Sequence, residues 1–236
     1  MAWISEAALE THFMQGLASL GYALMEGGEA SPEAREPLRG SYRETMLASV
    51  LHQSLARLNP GLPKTALEEA ARRVTDTVFV TDIVQENRRV HELMVHGVPV
   101  SYVRDGEERH ARVQLVDWSD QANDWRAVRQ FDVVGKTPRI PDVVLFLNGL
   151  PLVVVELKGV AGADIKAAWH QIETYRAAIP EMFPTHLLPV ISYVLQARYG
   201  SLSARCDRYM GWRTVGARPL FPWGSLRGRS RTRTGL

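Results

Sequence analysis

Two nearly unbroken apolar runs, Val143-Val144-Leu145-Phe146-Leu147 and Leu152-Val153-Val154-Val155, flank the segment Asn148-Gly149-Leu150-Pro151. Asn-Gly between such runs is a strong hairpin signal, and strands this apolar are covered on both faces. The chain must therefore build a buried sheet with other elements packed above and below it. Charges sit at the ends of these runs. Asp142 opens the first, and Glu156 and Lys158 close the second. Positions two apart on a strand share a face, so Glu156 and Lys158 point the same way. Buried charges are costly unless paired or bound to a metal. Two carboxylates about 4 Å apart repel by roughly 4 kcal/mol at an effective dielectric near 20. A divalent cation reverses that repulsion, and hard oxygen ligands suit Mg²⁺.

The metal reading makes a geometric demand. A tight Asn148-Gly149 turn pairs Leu147 with Leu150 and hence Asp142 with Val155, which leaves Asp142 and Glu156 on opposite faces. An odd-length loop or a β-bulge restores them to one face, so one of the two is expected; a regular two-residue turn without a bulge excludes the metal site. The same residues also fit a bland role, with Asp142 as a strand cap and Glu156 and Lys158 at a solvated strand end. The choice of lysine bears on this, because the chain holds four lysines against 24 arginines. Lysine acts as a point charge beside a nucleophile or phosphate in a way arginine does not. Gln171 and Tyr175, four apart on a predicted helix, project one amide and one phenol in the same direction.

At 236 residues, 45% hydrophobic and 23% charged, the chain is ordinary globular material, long enough for one core and a small accessory lobe. No apolar run reaches the roughly 18 residues of a membrane span, and the N-terminus lacks a secretory pattern. Cys206 is the only cysteine, which excludes an internal disulfide and a thiolate metal cage. A cytoplasmic, membrane-free protein is expected. From Arg198 onward nine arginines face one acid, Asp207, giving that stretch a charge of +8 and the preceding residues −6. A basic arm behind an acidic body suggests a polyanionic partner.

Helical spacing of Leu9, Phe13, Leu17 and Leu20, ended by Gly21, predicts a first helix. Residues 27–40 read as a loop. Ser41-Tyr42-Arg43-Glu44 and Thr65-Ala66-Leu67-Glu68 read as capping boxes that start two further helices, and another is expected from about Asp82 to Met94. Val98–Val103 and His110–Val116 read as strands joined through Asp105-Gly106, and residues 126–134 as another strand. A helix over 163–178, capped by Asp164, and a strand over 187–195 complete a mixed α/β (α+β) chain. His91 and His96 are five apart, about 140° around a helix, so they cannot share one ion; His91 is expected to be exposed and His96 to end the helix. Trp118, Trp125, Trp169 and Trp212 are expected in the core.

The stretch from Arg139 to Lys158, with Asn148-Gly149-Leu150-Pro151-Leu152 between its acidic elements, followed by Gln171-Ile172-Glu173-Thr174-Tyr175, resembles the N-terminal nuclease domain of type I restriction enzyme R subunits, within the PD-(D/E)xK nuclease superfamily. Asn123 to Phe131, Ala197 to Leu202 and Trp212-Arg213-Thr214 extend the likeness, which covers roughly residues 1–215. The resemblance implies a restriction-endonuclease-like core with helices flanking a mixed sheet, in α-β-β-β-α-β order. Residues 1–120 would form an N-terminal helical and hairpin part, 121–215 the catalytic core, and 216–236 a disordered basic tail. It implies a type I site-specific deoxyribonuclease: Asp142 and Glu156 as Mg²⁺ ligands, Lys158 orienting the attacking water, and Gln171 and Tyr175 supporting DNA contact. An acidic residue of the first helix would also face the metal, Glu10 first and Glu6 second.

DNA and the methylation and specificity subunits of such systems are the implied partners. ATP would enter only through motor domains. Gly159 to Lys166 does not have P-loop spacing, and Ile191 to Val194 departs from the family's usual glycine-containing segment. The alternatives are a catalytically silent remnant or DNA- or subunit-docking module, and a stand-alone PD-(D/E)xK repair nuclease.

Overall fold

The computed structural model describes residues 5–79, 81–159, 164–193 and 196–211. In chain order the elements are α1 (Glu6–Ser19), β1 (Ala23–Glu26), α2 (Ala48–Leu58), α3 (Lys64–Thr75), α4 (Ile83–His96), β2 (Val98–Arg104), β3 (Glu107–Val113), β4 (Trp125–Arg129), β5 (Val133–Val134), β6 (Pro138–Arg139), β7 (Val143–Leu147), β8 (Leu150–Lys158), α5 (Ile165–Ala178), β9 (Val190–Tyr193), β10 (Gln196–Tyr199) and β11 (Met210–Gly211). Seven strands form one mixed sheet in the order β1-β4-β7-β8-β9-β10-β11, with β1/β4 and β8/β9 parallel and the other pairs antiparallel. The fold is mixed α/β, as the sequence predicts.

Every residue of β7 and all of β8 except Lys158 are buried. The sheet carries a separate core on each face. Val143, Leu145 and Leu147 pack with Phe13 and Leu17 of α1 and with residues of α2 to α4. Val144, Phe146 and Val154 pack with Ala168, Ile172 and Tyr175 of α5. Burial on both faces is what permits the parallel β8/β9 pair, whose crossover is α5.

The hairpin turns at Asn148 (φ 52°) and Gly149 (φ 85°), both left-handed as a two-residue turn of this type requires. Val143 pairs with Val155 and Leu145 with Val153, but Phe146 pairs with Pro151, so Leu152 is an extra residue in β8. This is the required bulge, a few residues inside the strand rather than in the loop. Leu152 and Val153 consequently join the same core. The segment before β9 takes up the displaced backbone groups: Thr185 Oγ1 donates to the Pro151 carbonyl (2.6 Å), Leu187 N to the Leu152 carbonyl (2.7 Å), and Val154 N to His186 Nε2 (3.4 Å).

Several expectations are corrected. Ser41 and Glu44 cap no helix: Ser41 Oγ accepts from Arg43 N, and the Glu44 carboxylate from Gly40 N. The helix after them starts at Ala48, where Leu47 N donates to the Gly149 carbonyl of the hairpin turn. Thr65 lies inside α3, which begins one residue earlier behind Pro63. The 126–134 run is broken after Arg129 because Gln130 is left-handed (φ 54°). The apolar run at 187 starts pairing only at Val190. Trp118 is 67% exposed, whereas Trp125 and Trp169 pack against the core. His91 is half-buried against the Thr185 carbonyl. Strand β1 falls between the expected first helix and the loop at 27–40, and β1, β10 and β11 have no counterpart among the expected elements. The basic tail, Trp212, Ala163 and residues 194–195 lie outside the described residues.

A Cβ on Gly149 would meet the Leu47 carbonyl at 2.6 Å and Leu51 N at 2.7 Å. Gly149→Ala is therefore expected to lower stability by about 2 kcal/mol or more, read as a reduced urea midpoint. His186 is fully buried, and burial, then His91, pushes its pKa down to about 3. The unfolded chain takes up a proton that the fold refuses, so this contribution is complete above pH 6.5 and lost as the pH falls from 6.5 toward 3. The urea midpoint should drop over that window, and less so for His186→Gln, which keeps an acceptor for Val154 N but does not titrate.

Candidate active site

Because of the bulge, Asp142 and Glu156 approach across β7 and β8 on the face covered by α5. Leu157 N donates to Asp142 Oδ2 (2.7 Å), which fixes the aspartate against the neighbouring strand. Glu156 is 1% exposed. Lys158 Nζ lies 2.7 Å from Glu156 Oε1, and the Tyr175 hydroxyl donates to Glu156 Oε2 (2.8 Å). Gln171, one turn before Tyr175 on α5, hydrogen-bonds the same hydroxyl. The structure thus brings together Asp142, Glu156, Lys158, Gln171 and Tyr175.

Electrostatics follow from this geometry. Burial, reinforced by the Glu156 charge, pushes the Asp142 pKa up to about 7. Burial also raises Glu156, against the opposing pull of Lys158. The Lys158 ammonium is disfavoured by burial, yet the hydrogen bond and charge of Glu156, with Asp142 and Glu6 behind it, hold its pKa above the ordinary value. Burial and Glu156 likewise raise Tyr175, which remains a hydrogen-bond donor. Two carboxylates share one ammonium, so Asp142 has no full counter-charge.

The acidic residues of α1 reach the rim of this group. Glu6 Oε1 accepts from Gly159 N (3.3 Å) and is close enough to act on Glu156 and Lys158. Glu10 acts on Asp142, and its Oε1 accepts from Gln130 Nε2 (3.1 Å). Among the described residues no three His, Cys, Asp or Glu side chains gather closely enough to hold one ion. The inner donor set is therefore Asp142 and Glu156, with Asp142 Oδ1 free of hydrogen bonds among the described residues. Two carboxylates with no nitrogen or sulfur ligand suit Mg²⁺, which keeps several waters, and do not suit Zn²⁺.

Residues 4–208 match the family described as type I restriction enzyme R protein N terminus. The chain belongs to this family. It is 34% identical over 217 residues to the type I restriction enzyme HindI endonuclease subunit of Haemophilus influenzae, an alignment covering 90% of this chain and 20% of that protein. It is 30% identical to the putative MjaIXP endonuclease subunit of Methanocaldococcus jannaschii, over 88% of this chain and 20% of the relative. It is also 30% identical to the EcoprrI endonuclease subunit of Escherichia coli, over 86% of this chain and 61% of that protein. The chain thus spans about a fifth of the first two relatives. No helix among the described residues is long and apolar enough to cross a membrane.

Sequence reasoning missed one residue at the rim of the site and one role in the turn of the hairpin that carries it. Gln130 lies in the Asn123 to Phe131 stretch of the likeness, but nothing in its residue type or spacing singles it out there, whereas its left-handed backbone does. Asn148 reads as a turn former, yet its fully buried amide donates to the Leu115 carbonyl and Asn123 Oδ1, and its oxygen accepts from Asp124 N. The linkage at Asp142 has a definite sign. The folded chain retains a proton between pH 4 and 7 that the unfolded chain releases, so stability from this group falls as the pH rises through that window. In EDTA at pH 8, Asp142→Asn is expected to be more stable than wild type by about 1–3 kcal/mol, with the gap closing near pH 4, as read from urea midpoints.

Proposed function

We propose that this domain is the DNA-cleaving part of a type I restriction enzyme R subunit, hydrolysing phosphodiester bonds with Mg²⁺ held by Asp142 and Glu156. The observation that carries the reading is the Asp142–Glu156–Lys158 arrangement on one face of a bulged hairpin. It leaves a carboxylate short of positive charge beside a lysine. The family membership and the relatives' names support it. Mg²⁺ bound there would polarise the phosphoryl group and lower the pKa of a water.

The chain's own residues have separable roles. Asp142 stays fixed through the Leu157 amide and offers its free oxygen. Glu156 is oriented by Tyr175, itself held by Gln171, so α5 sets the carboxylate's angle from behind. Lys158 neutralises Glu156 in the absence of substrate. Its ammonium, 22% exposed on its side chain, is placed to orient a water and to offset charge developing on the phosphate. Glu10, with Glu6 beyond it, adds negative charge at the outer edge of the same site.

In the full subunit this reading places the domain beside ATP-driven motor domains and alongside the methylation and specificity subunits, which would choose the DNA. The direct test is supercoiled plasmid with Mg²⁺. Wild type should nick or linearise it, and Glu156→Ala and Lys158→Ala should each reduce the rate by at least about a hundredfold. Loss of activity in EDTA should be reversed by added Mg²⁺. Equal cleavage by wild type and both variants would assign the activity elsewhere.

A further inference from the structure

We infer that Gln130 is a positioning residue for the acidic site, holding the Glu10 carboxylate of α1 toward Asp142 and so tightening the hold on a divalent cation. The inference rests on the metal-dependent reading above. Gln130 directly follows β4, and its main-chain N donates to the Asp142 carbonyl (2.8 Å). Its side-chain Nε2 donates to Glu10 Oε1 (3.1 Å). One residue therefore ties the strand that carries Asp142 to the helix that carries Glu10, through main chain on one side and side chain on the other.

The backbone makes the choice of residue telling. Gln130 has φ 54°, a left-handed conformation that glycine adopts freely and other residues adopt at a cost. Its carbonyl is pressed against Gly27, where an added Cβ would come within 1.9 Å. The next residue fixes this geometry: Phe131 is fully buried, and the Arg39 guanidinium lies 4.1 Å from its ring centre. A tight left-handed turn carrying a glutamine in place of glycine retains a side chain that has a use, and strain of this kind concentrates at functional sites. The partner it selects is Glu10, which acts electrostatically on Asp142.

The test is Mg²⁺ titration of the full chain by calorimetry, with thermal melting on the same samples. Gln130→Met keeps the length and removes the donor. Gln130→Gly removes the side chain and relieves the backbone. Both are expected to weaken Mg²⁺ binding three- to tenfold, while Gln130→Gly melts at the wild-type temperature or above. The decisive comparison is made in a Glu10→Gln background, where Gln130→Met should have no further effect on affinity. An Mg²⁺ affinity unchanged by Gln130→Met, or an equal loss in both backgrounds, overturns the positioning role while leaving the metal site standing. Absence of Mg²⁺ binding by wild type overturns both the role and the reading beneath it.

Discussion

One extra residue in β8 decides what the rest of the structure can do. Without Leu152 out of step, the Asn148-Gly149 turn would send Glu156 to the α1 face and leave Asp142 on the α5 face. With it, both carboxylates and Lys158 reach one face at the same end of the hairpin. A bulge in a buried central strand leaves backbone groups without ladder partners, which is costly unless they are taken up elsewhere. Here the segment Thr185-His186-Leu187 takes them, with one hydroxyl, one neutral imidazole and one main-chain amide. The bulge is thus built in from a distant part of the chain, and the neutrality of His186 is part of the arrangement.

The site is expensive in the fold that holds it. A carboxylate whose pKa is pushed to about 7 by burial and by a second carboxylate is a standing strain on the folded state. The chain tolerates it because the flanking strands bury apolar side chains on both faces, and because Lys158 and Tyr175 each take one oxygen of Glu156. Asp142 has no ammonium of its own: it shares Lys158 with Glu156 and is held by the Leu157 amide.

Much of this was legible in the sequence. Apolar continuity announced the central hairpin, and the metal reading, set against the parity of a two-residue turn, called for an odd-length loop or a bulge. The spacing of Gln171 and Tyr175 placed them on one helix face, and Asp164 was readable as a cap, accepting from the Ala167 amide of the first turn. What failed did so for physical reasons. Ser41-Tyr42-Arg43-Glu44 has the composition of a capping box, but its polar groups close a local turn, and α2 takes its start from the hairpin's Gly149 carbonyl, a tertiary contact. Strand β1 is four residues long and largely exposed, so neither periodicity nor apolar density marks it. The position of the bulge depended on residues 185–187, more than thirty positions away, and no local pattern encodes it.

The most direct test of this account is anomalous diffraction from crystals of the chain soaked in Mn²⁺, used as a stand-in for Mg²⁺. The account predicts an anomalous peak between the Asp142 and Glu156 carboxylates, with Leu152 bulged out of the β7–β8 ladder. A regular hairpin that sends the two side chains to opposite faces, or a peak at a different set of ligands with none between these two, would contradict it.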